Sequence, residues 1–309
     1  MEKIKSIPKR KLGLAKRETK SFYAYIMPWI VGFLLFTLIP LLCSLVFSLF
    51  QFSKLDLAMG NPLTFVGLDN FEDIIFHNDK FYIALGNTVL YSAVRVVMGL
   101  IISFIFAVLL NRNIWGKKLF RILIYIPAII PIVGSAIVWK GLFDERFSFF
   151  NFLLSIIGVA PVDWLGSNAM GSVLLMSIWC GIGPTMIIIL AALQTVPKDI
   201  LEAAQIDGAN VFQRYRLIVV PTISSTIMYV LITGLIGTLQ AYAEFDLITG
   251  GGPGYSTTTL SMLVIRAMDN EGLGYACAMA WVICAIVLIF TLIFFRFVKS
   301  KVYYAEGSD

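Results

Sequence analysis

Charged residues are scarce in this chain of 309 residues, where lysine, arginine, aspartate and glutamate together make up 14% and hydrophobic residues 59%. A soluble globular protein is nearer one quarter charged. The excess of apolar residues must therefore face lipid as well as a protein core. The length fits one membrane domain without a large soluble domain beside it.

Residue types that carry chemistry are equally scarce. The chain has one histidine, His77, in a polar stretch, and four cysteines inside apolar runs: Cys43, Cys180, Cys277 and Cys284. Isolated cysteines of this kind are expected to be small apolar side chains, neither disulfide-bonded nor metal ligands. No stretch matches the Gly-x4-Gly-Lys-Ser/Thr P-loop, so no metal, cofactor, catalytic site or ATP hydrolysis is expected of this chain.

Six apolar stretches are long enough to cross a bilayer, whose hydrocarbon core of about 30 Å needs about 20 helical residues. They are residues 26–50, 83–110, 120–140, 171–194, 218–241 and 275–298. Backbone groups in lipid must bond within their own segment, which favours helices, and the alternation typical of membrane strands is absent. The predicted fold is all-α, with six transmembrane helices in one domain over 26–298. Gly183-Pro184 is expected to break the fourth helix.

Positive charge lies mainly on one side of these spans. If the N-terminus is cytoplasmic, the inside segments together with the adjoining span ends hold 18 of the 24 lysines and arginines, and the outside loops with their adjoining span ends hold five. By the positive-inside rule both termini are predicted to be cytoplasmic, with a basic tail at 1–25, a second tail at 299–309 and a cytoplasmic loop at 195–221. Charge placed beside the spans favours a lipid bilayer, and not nucleic acid, as its partner.

The loop 195–221 carries local signals for two short helices. Pro197 suits the first turn of one helix, and Gly208 suits its end. Asn210 can cap a second helix that ends before Pro221. The pattern predicts a small helical knob that fits a groove on a partner protein.

The same loop resembles a motif of the membrane subunits of bacterial ABC importers. The motif runs Glu-Ala-Ala, three residues, Gly, nine residues, Ile, one residue, Leu-Pro. The matching residues here are Glu202, Ala203, Ala204, Gly208, Ile218 and Pro221, with Val220 in place of the leucine. The resemblance implies the type I importer permease fold and a loop that docks into a cleft on a separate ATPase subunit. It assigns that contact to Glu202, Ala203, Ala204, Asp207 and Gly208.

The resemblance also implies the other chains of such a system. They are a second permease chain (a related chain more often than a second copy), two ATPase subunits that bind ATP and Mg, and an extracytoplasmic sugar-binding protein. The location implied is the bacterial plasma membrane.

A glycine-rich stretch narrows the class. Residues 249–260 read Thr-Gly-Gly-Gly-Pro-Gly-Tyr-Ser-Thr-Thr-Thr-Leu, which predicts a sharp turn at the outer end of the fifth span. The stretch resembles the permeases for oligosaccharides and glycerol phosphate. This resemblance implies a carbohydrate as the solute and leaves glycerol phosphate as an alternative. Gly251, Gly252 and Pro253 are expected to shape an external gate or a docking surface.

Four residues are candidate contacts along a substrate pathway, because sugars bind to aromatic rings and to polar side chains that are costly in a lipid-facing helix. They are Trp179 in the fourth span, and Thr238, Gln240 and Tyr242 at the outer end of the fifth. Helix packing is the competing explanation for Trp179.

Arg95 lies near the middle of the second span, where an unpaired charge is expensive. It is expected to bond a carboxylate or helix carbonyls in the interior, or to form an ion pair at a gate or subunit interface. An ion-coupled secondary transporter is a further alternative for the whole chain. It is disfavoured because the spans contain almost no acidic residues.

Overall fold

The computed structural model describes residues 22–144 and 148–299. Residues 1–21 of the predicted N-terminal tail lie outside the described residues. So do residues 300–309 of the predicted C-terminal tail. Residues 22–25, which the prediction assigned to the tail, belong to the first helix. Lys299 likewise ends the last helix.

The described residues form helices and one short hairpin. In chain order the helices are α1 (Phe22–Phe47), α2 (Lys54–Met59), α3 (Asp69–Glu72), α4 (Asp79–Asn111), α5 (Lys117–Ile129), α6 (Ile132–Leu142), α7 (Phe149–Ile156), α8 (Ala169–Gln194), α9 (Lys198–Ile206), α10 (Val211–Thr222), α11 (Ser224–Leu239), α12 (Ala243–Ile248), α13 (Leu260–Asn270) and α14 (Leu273–Lys299). The hairpin pairs β1 (Phe50–Gln51) with β2 (Thr64–Phe65) in antiparallel fashion. The predicted all-α class is confirmed.

Four of these helices, α1, α4, α8 and α14, are long and apolar enough to cross a membrane. Two bent pairs, α5 with α6 and α10 with α11, bring the number to six if each pair counts as one span. Each of the six predicted stretches overlaps one of these helices or bent pairs. Polar backbone groups therefore stay bonded within helical segments, as a bilayer requires.

Two predicted spans are wrong as continuous helices. The third breaks between α5 and α6 with a bend of 98°, because Pro131 forces the preceding Ile130 into an extended conformation (ψ 129°). The fifth breaks at Ile223, where α10 and α11 meet with a bend of 70°. Its first part does not end before Pro221, since a π-helical turn over Tyr215–Val219 widens the helix ahead of the proline.

The predicted break at Gly183-Pro184 is also wrong, because α8 runs unbroken from Ala169 to Gln194. The glycine serves helix packing instead. A Cβ atom on Gly183 would lie 2.7 Å from the carbonyl oxygen of Ile124 in α5, so the missing side chain lets the two backbones meet. Close approach at small residues is the usual way in which membrane helices associate.

The centre of the described fold is α4, which packs along α8 and against α11. A hydrogen bond of 3.1 Å from Ser103 Oγ to the Ile182 carbonyl joins α4 to α8, and Val96 of α4 lies against Gly234 of α11. Helix α1 lies at the edge, held to α14 by a hydrogen bond of 3.2 Å from Trp281 to Ser44. The loop that carries α9 thus lies at one end of α4, and the glycine-rich turn lies at the other.

Candidate functional site

The loop 195–221 folds into two short helices joined at a glycine, as predicted. Pro197 is the N-cap of α9, one position earlier than predicted, and Gly208 follows its end with φ +83°. Asn210 and Gln213 form a capping box at the start of α10. Each side chain accepts a bond from the other's backbone amide, so this turn is held locally.

The residues predicted to contact an ATPase lie on the surface. Glu202, Ala203, Asp207 and Gly208 are exposed, and Ala204 is half-buried. Two large apolar side chains beside them are also uncovered, with Ile206 86% and Phe212 70% exposed. An apolar patch next to small and charged residues is typical of a protein interaction surface.

Although exposed, α9 is fixed to the membrane helices. Leu201 packs against the buried apolar cluster that joins α4, α8 and α10, and Arg214 of α10 donates a hydrogen bond of 2.9 Å to Gln205. Tyr215 contacts Phe104 of α4 edge to face, with 6.3 Å between ring centres. Helix α9 is therefore linked to α4 through packed side chains.

At the opposite end of α4, the glycine-rich stretch forms the predicted sharp turn. Gly250 and Gly251 have φ of +59° and +84°, a conformation that glycine adopts at little cost. The Arg266 guanidinium donates to the Gly250 carbonyl at 2.6 Å, and the Thr258 hydroxyl donates to the Gly251 carbonyl at 2.9 Å. The space where a Gly251 side chain would lie is filled by these two groups.

The rest of the turn is equally well bonded. The Thr257 hydroxyl donates to the Gly252 carbonyl at 2.8 Å, and the amide of Ser256 donates to the Pro253 carbonyl at 2.9 Å. Thr257, Thr258 and Thr259 are fully buried. The residues proposed as a gate thus belong to a rigid, internally bonded element.

Two polar residues of α4 hold this turn, and sequence reasoning missed both. Asn87 Nδ2 donates to the carbonyls of Tyr255 and Thr258 at 2.9 and 3.0 Å. The Thr88 hydroxyl accepts from the amide of Leu260 at 3.1 Å. The sequence signal that could have identified them is this pair of adjacent polar residues within the apolar stretch 83–110.

The structure brings two of the four predicted pathway residues together. Gln240 is exposed and Tyr242 is half-buried, and both line a cavity of about 670 Å³ between the end of α11, α13 and α14, together with Ser261 and Thr291. Burial and the nearby Asp246 carboxylate raise the pKa of the Tyr242 hydroxyl. Like any tyrosine hydroxyl, it can donate a hydrogen bond.

The other two lie apart from this cavity. The Thr238 side chain is buried, and its hydroxyl donates to the Gly234 carbonyl of its own helix at 2.9 Å. Trp179 is half-buried in an aromatic cluster, with its ring centre 5.5 Å from that of Trp139. Both side chains have packing roles in this structure.

Arg95 bonds a helix carbonyl, one of the arrangements expected for it. Its Nη2 donates to the Ser177 carbonyl of α8 at 3.3 Å. One turn away along α4, Tyr91 is fully buried and donates a hydrogen bond of 2.9 Å to Glu244 at the start of α12. Glu244 thus links α12, the helix that precedes the glycine-rich turn, to the middle of α4.

These features describe a bundle of membrane-length apolar helices with an exposed short helix at one end. Residues 99–300 match the family described as "binding-protein-dependent transport system inner membrane component". The match covers more than half of the chain, and the chain belongs to this family. It is the membrane-spanning permease component of an ABC transport system, without an ATPase site of its own. An ion-coupled secondary transporter does not fit this family.

Its relatives include named permeases. The chain is 31% identical to the trehalose/maltose transport system permease protein MalF of Thermococcus litoralis, over 92% of this chain and 95% of that protein. It is 33% identical to the sn-glycerol-3-phosphate transport system permease protein UgpA of Yersinia pestis, over 79% of this chain and 84% of that protein.

A solved structure shares the fold. One chain of the crystal structure of a bacterial ABC transporter, involved in the import of the acidic polysaccharide alginate, superposes with a TM-score of 0.77 at 23% identity. The match covers 94% of this chain and 99% of that one. It confirms the predicted ABC importer permease fold.

Proposed function

We propose that this chain forms half of the translocation pathway for a carbohydrate, most simply an oligosaccharide, in an ATP-driven importer of the bacterial plasma membrane. The observation that carries the proposal is α9, an exposed short helix fixed by packing to the central helix α4. The 31% identity to a trehalose/maltose permease supports a carbohydrate as the solute. So does the resemblance of the glycine-rich turn to oligosaccharide permeases.

In this proposal α9 docks into a cleft on a separate ATPase subunit. Glu202 and Asp207 supply charge, Ala203, Ala204 and Gly208 allow close approach, and Ile206 supplies apolar contact. Two such subunits bind ATP and Mg and close on each other. Because α9 is packed against α4 and α8, their closure moves the spans and switches the cavity between the two sides of the membrane.

The charge distribution orients the chain in this proposal. Both termini and α9 face the cytoplasm, where 18 lysines and arginines lie. The glycine-rich turn then faces outward, where an extracytoplasmic sugar-binding protein delivers the solute. Gln240 and Tyr242 contact that solute, since an amide and a phenol suit sugar hydroxyls and the cavity has the size of an ordinary ligand pocket.

A second permease chain completes the pathway. The cavity that Gln240 and Tyr242 line is open on one side, and α1 exposes apolar side chains along its length. A related chain is proposed rather than a second copy, by analogy with the family.

Glycerol phosphate is the second candidate solute. The 33% identity to a glycerol-3-phosphate permease favours it. Only uptake measurements with both kinds of solute separate the two candidates.

Purification of the tagged chain from its native membrane in mild detergent tests the proposal. We expect an ABC ATPase and a second permease to copurify, and the reconstituted complex to accumulate a saccharide only with ATP and the binding protein. A chain that copurifies with no ATPase would contradict it. Uptake of glycerol phosphate and of no saccharide would identify the second candidate as the solute.

A further inference from the structure

Resting on the proposed import of saccharides, we infer that the transported saccharide is acidic and that Arg95 recognises its carboxylate. This is a claim about specificity. It is independent of how α9 docks, and it names the residue of the pathway that would separate acidic from neutral sugars.

Arg95 lies midway along the 33 residues of α4 and is partly exposed. A guanidinium at this depth cannot face lipid without a large cost, and arginine within a span usually faces a water-filled cavity or the interior of the bundle. The exposed part of its side chain is therefore assigned to the hydrated pathway.

The charge of Arg95 has no counter-ion in contact. No carboxylate of residues 22–144 and 148–297 lies within 4 Å of its nitrogens, and its side chain makes one hydrogen bond, to the neutral carbonyl of Ser177. The acidic group nearest along the network, Glu244, accepts the Tyr91 hydroxyl instead. Four of the five N–H groups of the guanidinium make no hydrogen bond to the described residues.

A glycine makes room for the guanidinium. Any side chain at Gly181 of α8 would overlap the Nη2 atom of Arg95. The charged group thus lies directly against the backbone of α8. A planar guanidinium held in a fixed position suits a planar anion such as a carboxylate.

The chemistry of the site favours a carboxylate over the two other ligands. A neutral hydroxyl would leave the intramembrane charge unneutralised. A phosphate monoester carries up to two negative charges, so a single guanidinium neutralises it only in part. A carboxylate carries one negative charge, which neutralises the charge of the guanidinium, and its two oxygens can accept two parallel hydrogen bonds.

Competitive uptake into vesicles tests the inference. The complete transporter with its binding protein is reconstituted and offered an equimolar mixture of trigalacturonate, trimannuronate, their methyl esters, maltotriose and glycerol 3-phosphate. Mass spectrometry identifies what ATP drives into the lumen. We expect the free acids, favoured over their esters by about 10- to 100-fold, the usual value of a hydrogen bond to a charged group.

Variants assign the effect to Arg95. Arg95→Gln should lose uptake of the acid by a similar factor, Arg95→Lys should retain part of it, and Glu244→Gln should lower the KM for the acid. Lys118→Gln, an exposed cation at the end that carries α9, is the matched control and should change nothing. Copurification of the ATPase reports that each variant is assembled.

Three results would overturn the inference. The first is accumulation of maltotriose, an ester or glycerol 3-phosphate in preference to the acids. The second is full uptake of the acid by Arg95→Gln. The third is failure of Arg95→Gln to assemble, which would make the residue structural. The first two leave ATP-driven import standing. An assembled transporter that accumulates no saccharide would contradict the proposed function as well.

Discussion

Replacing Glu202 by lysine is expected to remove the ATPase from the purified complex and to abolish ATP-driven uptake, while the chain stays folded in the membrane. Glu202 is exposed on α9 and contributes to no buried cluster of the described residues. Reversing its charge therefore alters the docking surface and not the fold. Truncating one partner of a hydrogen-bonded charge pair at an interface typically costs about 2–5 kcal/mol, or at least about 30-fold in affinity.

Glu72→Lys is the matched control for this charge reversal. Glu72 is exposed on α3, at the end of the molecule opposite α9. The control should keep the ATPase bound, and both variants should run as one species on size exclusion. Retention of the ATPase by Glu202→Lys would show that α9 is not the docking element.

Replacing Gly251 by alanine is expected to disrupt the glycine-rich turn and with it the assembly of the transporter. The added methyl group would lie 2.7 Å from Arg266 Nη2 and from Thr258 Oγ1, at a φ of +84°. Backbone strain and a displaced buried hydrogen bond each cost about 1–3 kcal/mol. We expect a lower melting temperature of the purified chain and loss of uptake.

Gly237→Ala is the control for this substitution. Gly237 lies within α11, and a Cβ atom there would meet no atom within 4 Å. Alanine in a helix is also more favourable than glycine. An equal loss of stability in both variants would mean that the turn has no special need for glycine.

Local signals explain what the sequence predicted well. Helix α9 is bounded by Pro197 and Gly208 and is followed by the Asn210 cap, and these features act through neighbouring residues alone. The apolar stretches of the spans were likewise sufficient to place the long helices. The turn at 249–254 followed from its glycines, whose backbone preferences need no distant partner.

Tertiary packing explains what the sequence did not predict. Pro131 breaks a span whereas Pro184 does not, and Gly183 beside Pro184 lies against the backbone of α5. The bonds from Asn87 and Arg266 to the turn join positions far apart in the chain, as does the contact of Arg95 with α8. No local pattern distinguishes such residues from ordinary polar ones.

Site-specific photo-crosslinking tests the central claim most directly. A photoreactive benzophenone amino acid is placed at Ile206, which is 86% exposed on α9, and in a second variant at Phe76, which is 73% exposed at the opposite end. In irradiated whole cells, position 206 should capture an ABC ATPase and position 76 should capture none. If position 206 captures no ATPase, or captures an extracytoplasmic protein, then the docking role and the orientation argued for this chain are both wrong.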